Sequence, residues 1–279
     1  MNHLVLFFVS LLLAKLCFSQ ETKLGHLSKT LKEISGLEQL TDSTLLAIND
    51  GGNDACLYEI NFNGKIIREI TVINAKNIDW EDLAMDENKE YLFIGDFGNN
   101  ANARKTLSIY KVLVSDIMSE NAVNAKKVDF HYPEQKEYPE TKKNRKFDCE
   151  AMAIKENRIY LFTKSNTKPY KGNTLIYSMT TNGKDFQLVQ ELNLGDQGYF
   201  QNSVTAADYF DGMFYLSSYS YVYTLQCNNK EFKLKNSIPF KRLTQKESLV
   251  VLSKNEIILA DENSPLGVGQ NLYMLKLGK

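Results

Sequence analysis

Runs of branched and aromatic residues, each of strand length, recur along this chain, and each stops at a cluster of Asn, Asp, Gly or Ser. Residues 34–40, 44–48, 56–60 and 65–72 make up the first set, broken by Thr41-Asp42-Ser43, by residues 49–53 and by Asn63-Gly64. Four such runs in succession predict one antiparallel meander. Comparable sets follow at 79–132, 147–194 and 204–240, and a last one starts at Glu247 and includes 256–260 and 271–277.

The sets share a grid. Ser35, Glu81, Glu150, Thr205 and Glu247 each open a first strand, and 15 positions later stand Asp50, Asp96, Ser165, Ser220 and Glu262. The third strand of each set carries a tyrosine: Tyr58, Tyr110, Tyr177, Tyr223 and Tyr273. A strand-built repeat of this length predicts an array, and a closed one hides its edges. The last set has only three strands. Residues 23–33 are the available supplier of a fourth, although Leu24, Leu27 and Leu31 also carry helical spacing. The expected fold is therefore an all-β, five-bladed β-propeller over residues 20–279, with an N-terminal strand closing the last blade. Two packed sandwiches are the alternative, and they leave the constant offset unexplained. Residues 132–146, rich in charge and holding Pro133 and Pro139, read as a solvated insertion between blades two and three.

In a propeller the first strand of each blade lines the central channel. Ser35, Glu81, Glu150, Thr205 and Glu247 then form one ring, with Asp50, Asp96 and Glu262 at the same mouth. Ionised glutamates about 5 Å apart repel by about 3 kcal/mol per pair at an effective dielectric of 20. Protons or a cation must relieve this, and an all-oxygen, irregularly spaced donor set suits Ca²⁺. Zinc is disfavoured, because beyond the first 19 residues the only histidines are His26 and His131, outside the repeats. Asp50 or Asp96 is a candidate general base, and Arg104, Lys164 and Lys168 are candidates to hold anionic oxygens. Turn capping and solubility are the plain alternatives for these residues.

The ring order Ser, Glu, Glu, Thr, Glu resembles the calcium site of the five-bladed calcium-activated nucleotidases, the animal apyrase family, with Thr205 in place of a serine. That resemblance implies a channel Ca²⁺ on Ser35, Glu81, Glu150, Thr205 and Glu247. The strings Asp-Trp-Glu-Asp-Leu-Ala at 79–84 and Gly-Asp-Phe-Gly-Asn-Asn at 95–100 are also similar to those of secreted bacterial propeller proteins.

The first 19 residues read as a cleaved signal peptide: residues 4–13 are nearly all apolar, and Cys17 and Ser19 precede Gln20 at a cleavage spacing. A secreted, periplasmic or cell-surface location is expected, with no membrane span after cleavage. The formal net charge of −1 gives no field for a nucleic-acid polymer. Cys56, Cys149 and Cys227 are an odd number and are read as buried thiols. With so few histidines no Ser-His-Asp set can be assembled. The functional expectation is a monomeric, calcium-binding propeller that recognises an extracellular ligand, such as an anionic small molecule, at the channel mouth. A calcium-dependent phosphoester or nucleotide hydrolase is the alternative, and a scaffold for another envelope protein is a third.

Overall fold

Apolar runs bounded by turns become four-stranded antiparallel sheets here, and five such sheets stand around one axis. The computed structural model describes residues 20–264 and 267–278. The expected signal peptide, residues 1–19, lies outside the described residues. Among the described residues no helix is long and apolar enough to cross a membrane.

The first strand, β1 (Gln20–His26), belongs to the last blade. Blade one is β2 (Ile34–Gln39), β3 (Thr44–Asn49), β4 (Cys56–Asn61) and β5 (Ile66–Val72). Blade two is β6 (Trp80–Met85), β7 (Tyr91–Asp96) and β8 (Leu107–Leu113), and then, after helix α1 (Val114–Ser119) and the short β9 (Ala122–Val123), β10 (Lys126–Phe130). β9 pairs in parallel with β5 and extends the outer edge of blade one. Blade three is β11 (Asp148–Lys155), β12 (Arg158–Lys164), β13 (Asn173–Thr180) and β14 (Gln187–Asn193). Helix α2 (Tyr199–Asn202) precedes blade four: β15 (Ala206–Phe210), β16 (Met213–Ser217), β17 (Tyr221–Asn228) and β18 (Glu231–Pro239). Blade five is β19 (Lys246–Ser253), β20 (Glu256–Asn263) and β21 (Gly269–Lys276), completed by β1. The inner strands pack in a closed circuit, β2 on β6, β6 on β11, β11 on β15, β15 on β19 and β19 back on β2.

Five hydrophobic clusters fill the five seams between blades. Each repeated tyrosine lies in the seam with the preceding blade: Tyr58 toward blade five, Tyr110 toward one, Tyr177 toward two, Tyr223 toward three and Tyr273 toward four. Trp80 is fully buried in the seam of blades one and two, and its Nε1 donates to the carbonyl of Lys76 at 3.1 Å. Cys56, Cys149 and Cys227 are free and buried.

Closure differs from expectation in register. The closing strand is Gln20–His26, and residues 29–31 form a 3₁₀ turn, so Leu27 and Leu31 pack into the seam of blades five and one. The helical spacing of those leucines reflects that turn. Closure also carries an ion pair: Glu21 Oε1 lies 3.4 Å from Lys246 Nζ, both side chains almost wholly buried. The insertion at 132–146 is anchored where full solvation was expected. Tyr132 packs on Phe147 and Tyr177, Gln135 Nε2 donates to the carbonyl of Asn102 at 2.7 Å, and Glu140 is buried. Its exposed positions are Pro133, Glu134, Lys136, Glu137, Pro139 and residues 141–144.

Candidate functional site

Four of the five ring residues sit in β-bulges. The register of the first strand slips between Ile34 and Gly36, Trp80 and Asp82, Cys149 and Ala151, and Lys246 and Ser248. Ser35, Glu81, Glu150 and Glu247 are the extra residues. A bulge frees one residue from the ladder and re-aims its side chain. These four side chains line one central cavity of about 230 Å³. Blade four has no bulge at this point, and Thr205 is not among the lining residues. Its Oγ1 lies 3.0 Å from Ser217 Oγ and donates to the carbonyl of Lys246 at 2.7 Å. Ser35 makes the equivalent bond, from its Oγ to the carbonyl of Trp80 at 3.0 Å, while still touching the cavity. The two hydroxyls thus staple their blades to the next.

Asp50 and Glu262 complete the acidic wall, with Asn100, Gln245, Tyr199 and Tyr219 beside them. One cation faces this wall. Lys164 Nζ lies 3.0 Å from Glu150 Oε2, and both side chains are almost fully buried. The Tyr219 hydroxyl donates to Glu247 Oε1 at 2.8 Å, and Lys164 sits over its ring. The second oxygen of Glu150, Oε1, is buried without a hydrogen-bond partner among the described residues.

At one side of the cavity Asp50, Asp79 and Glu81 bring carboxylate oxygens within 4.8 Å of one another. Gly51 and Gly98 make room for this group. A Cβ on Gly51 would collide with the Asp79 carboxylate, and one on Gly98 would collide with the carboxylates of both Glu81 and Asp79. The loop after β7 is held by side-chain bonds. Arg104 Nη1 donates to the carbonyl of Gly98 at 2.8 Å and Nη2 to Asp96 Oδ1 at 2.9 Å. The Asn99 N–H donates to Asp148 Oδ1 at 2.7 Å, which ties this loop to blade three.

Asp96 and Arg104, both candidates from the sequence, pair with each other, and neither lines the cavity. Asp96 is fully buried, outside the cavity lining, and its Oδ1 also accepts the Asp79 N–H at 3.0 Å. Asp50 does line the cavity, and its carboxylate accepts the N–H of Gly51. Lys168 stands before Pro169 outside the lining, and its N–H donates to the carbonyl of Lys142 at 2.8 Å.

Burial first, and then mutual repulsion, raises these carboxyls above their ordinary range. Asp79 reaches about 7, with Asp50 and Asp148 adding to burial. Glu81 is held well above the usual carboxylate value by burial and then by Glu150, Asp50 and Asp79. Glu150 rises to about 8 through burial, against the pull of Lys164. Glu247 and Glu262 each rise to about 7, also chiefly by burial. For Lys164, burial opposes the charge, yet Glu150 and Glu247 hold its ammonium well above the usual lysine range. These carboxyls resist ionisation because the cavity offers too few internal partners to offset their charge.

One residue beyond Glu81, Asp82 closes the channel floor. It is fully buried; its Oδ2 accepts N–H groups from Met152 of blade three at 2.8 Å and Ala207 of blade four at 3.2 Å, and Oδ1 accepts from Leu83 at 2.9 Å. Glu38 and Asp208 link their blades similarly, accepting from Met85 at 2.9 Å and Val251 at 2.7 Å. The motif at 79–82 thus divides its labour: Glu81 lines the cavity, Asp79 joins it and Asp50 in the acidic trio, Trp80 fills a seam, and Asp82 bridges three blades.

Asp79 and Asp148 are the residues that the grid of 15 passes over. A signal for them exists. An oxygen-bearing side chain stands two positions before each ring residue: Glu33, Asp79, Asp148, Ser203 and Gln245. Asp148 lies beneath Glu150, fully buried, with Oδ2 unpartnered among the described residues.

No protein-family model matches this chain, and no curated protein matches it. Among solved structures it is similar to the glutaminyl cyclase of Myxococcus xanthus, at 11% identity, over 94% of this chain and 97% of that one, with a TM-score of 0.56. A chain of a nidogen–laminin complex matches at 13% identity over 82% of this chain and 76% of that one, with a TM-score of 0.47. The WD40 β-propeller domain of Doa1 matches at 9% identity over 93% of this chain and 98% of that one, also at 0.47. The last two add nothing to the fold assignment at that score. At such identities the likeness is one of architecture alone, and the chain folds as a five-bladed β-propeller.

Proposed function

We propose that this protein is a calcium-binding β-propeller that recognises a ligand at the mouth of its central cavity. The observation that carries the reading is the trio Asp50, Asp79 and Glu81, gathered within 4.8 Å. Lys164, the cavity's own cation, is committed to Glu150. The donors are all hard oxygens with no His or Cys among them, which suits Ca²⁺ better than zinc. Glycine at 51 and 98 keeps that trio free of side-chain atoms. Glu150 Oε1, buried and unpartnered among the described residues on the neighbouring blade, is a further oxygen without a proton donor. When bound, the ion would supply the positive charge that these carboxylates lack. The reading of residues 1–19 as an export signal supports a site of action outside the cytoplasm, where a dissociation constant of about 10⁻⁴–10⁻³ M is enough.

The hydrolase alternative draws less support. It asks for basic side chains able to hold a phosphoryl group, and Arg104 is spent on Asp96 and Gly98 while Lys164 is spent on Glu150.

Metal analysis of purified protein and calorimetric Ca²⁺ titration after chelation test the reading. One site per chain is expected, lost in Glu81→Gln, with a higher Tm when calcium is present. No heat of binding and no change in Tm would overturn it.

A further inference from the structure

The acidic cavity does not end at its own rim. Tyr219 and Gln245 also line a second, wider groove of about 490 Å³. Its other walls include Phe200, Leu243 and Val268, and these side chains are 64%, 76% and 57% exposed. Large apolar side chains clustered in the open mark a contact surface. Between the two spaces stands an aromatic ledge. Tyr199 of the cavity meets Phe200 edge-on with ring centroids 5.7 Å apart, and Phe200 meets Tyr219 at 5.8 Å. Carboxylates next to aromatic faces, opening onto an apolar trough, are the surroundings an organic ammonium group requires.

Charge fixes the sign of the occupant. Asp50, Glu81, Glu150, Glu247 and Glu262 face the cavity against a single lysine. A calcium ion on Asp50, Asp79 and Glu81 leaves Glu247 and Glu262, on the side nearest the groove, still in excess. The anionic small molecule expected from sequence would meet this wall unfavourably, because Arg104 and Lys164 are internally paired and Lys168 stands outside the lining.

We propose that cavity and groove together bind a small organic amine with an apolar body, its ammonium on Glu247 and Glu262 and its apolar part on Phe200 and Leu243. This rests on the ligand-recognition reading above and names the class of ligand.

Calorimetry at about pH 8 with three probes of one shape tests it: phenethylamine, 2-phenylethanol and 3-phenylpropanoate, each with and without calcium. Phenethylamine should bind saturably, at least about tenfold tighter than the alcohol, and the propanoate should not bind. Glu247→Gln and Leu243→Ser should each weaken the amine about tenfold or more. Leu243 is exposed, so Leu243→Ser leaves folding and calcium binding intact and separates a groove effect from a general loss of structure. Equal affinity for amine and alcohol, or amine binding indifferent to Leu243→Ser, would overturn the proposal, as would no amine binding at all. A phenylalanyl peptide amide binding about tenfold tighter than phenethylamine would replace the small amine by a peptide N-terminus. Calcium titrations on the same samples keep the readings apart: amine binding without calcium binding sinks only the metal centre, and the reverse sinks only this proposal.

Discussion

Lys164 Nζ stands 3.0 Å from Glu150 Oε2 in the wall of the central cavity, a buried ion pair at the point where the ring carboxylates converge. The strand end that delivers Lys164 lies antiparallel to the bulged start of β11, so one blade supplies both the charge and part of its neutralisation.

Removing that lysine leaves a buried carboxylate uncompensated. Lys164→Met should destabilise the calcium-free protein by about 3–5 kcal/mol. It should also enlarge the rise in Tm on adding calcium, because the ion then has one competitor fewer. Urea unfolding with and without chelator reads both effects, and equal destabilisation in the two conditions would show that Lys164 and the metal centre are independent.

Protons and calcium compete for the same carboxylates. Asp79, Glu247 and Glu262 titrate near 7 and Glu150 near 8 in the folded state, above their unfolded values. The native state therefore holds more protons than the unfolded chain between the ordinary carboxylate range and about pH 8, and stability falls as pH rises through that window. Without calcium, Tm should drop by several degrees from about pH 5 to about pH 8.5, since a domain of this size loses about 2–4 °C per kcal/mol. With calcium the drop should shrink, and calcium affinity should rise with pH. Scanning calorimetry at several pH values checks the sign.

Gly98→Ala tests the cradle directly. The added methyl would occupy the space of the Glu81 and Asp79 carboxylates, whose flexible ends can shift without unfolding a blade. Calcium affinity should fall by about 10–100-fold, as when the support of a ligand is disturbed. Tm in chelator should change little. Unchanged calcium affinity would mean the ion sits elsewhere.

Asp82→Ala removes the acceptor shared by blades two, three and four. It strands the N–H groups of Met152 and Ala207, each costing about 1–3 kcal/mol when buried and unpaired. A loss of at least about 3 kcal/mol in urea unfolding is expected, with Asp82→Asn milder because its amide oxygen still accepts. A loss below about 1 kcal/mol would mean that the floor is dispensable.

The blade count was legible because burial repeats. Tyr58, Tyr110, Tyr177, Tyr223 and Tyr273 recur for one reason, the seam with the preceding blade, and a packing requirement that repeats leaves a period. Ser35, Glu81, Glu150 and Glu247 were legible by the same grid. Thr205 follows the grid and not the geometry, since β15 begins without a bulge. Asp79 was missed because its value comes from the three-dimensional approach of Asp50 and Glu81 from adjacent blades, which a search for one position per repeat does not register. Asp82 hid for a related reason: a carboxylate bonded to distant backbone N–H groups has no partner side chain to covary with a spacing. The apolar groove escaped because Phe200, Leu243 and Val268 lie in connections between strands, where no periodicity applies.

The bulges at Ser35, Glu81, Glu150 and Glu247 separate two inheritances. Residues on either side carry each sheet, while the bulged one is released from backbone pairing and held by its side-chain contacts alone. Serine already stands in one such place and glutamate in three. The same ring of blades can therefore be retuned for guests of different charge at four sockets, each substitution weighed against the contact that its socket now makes.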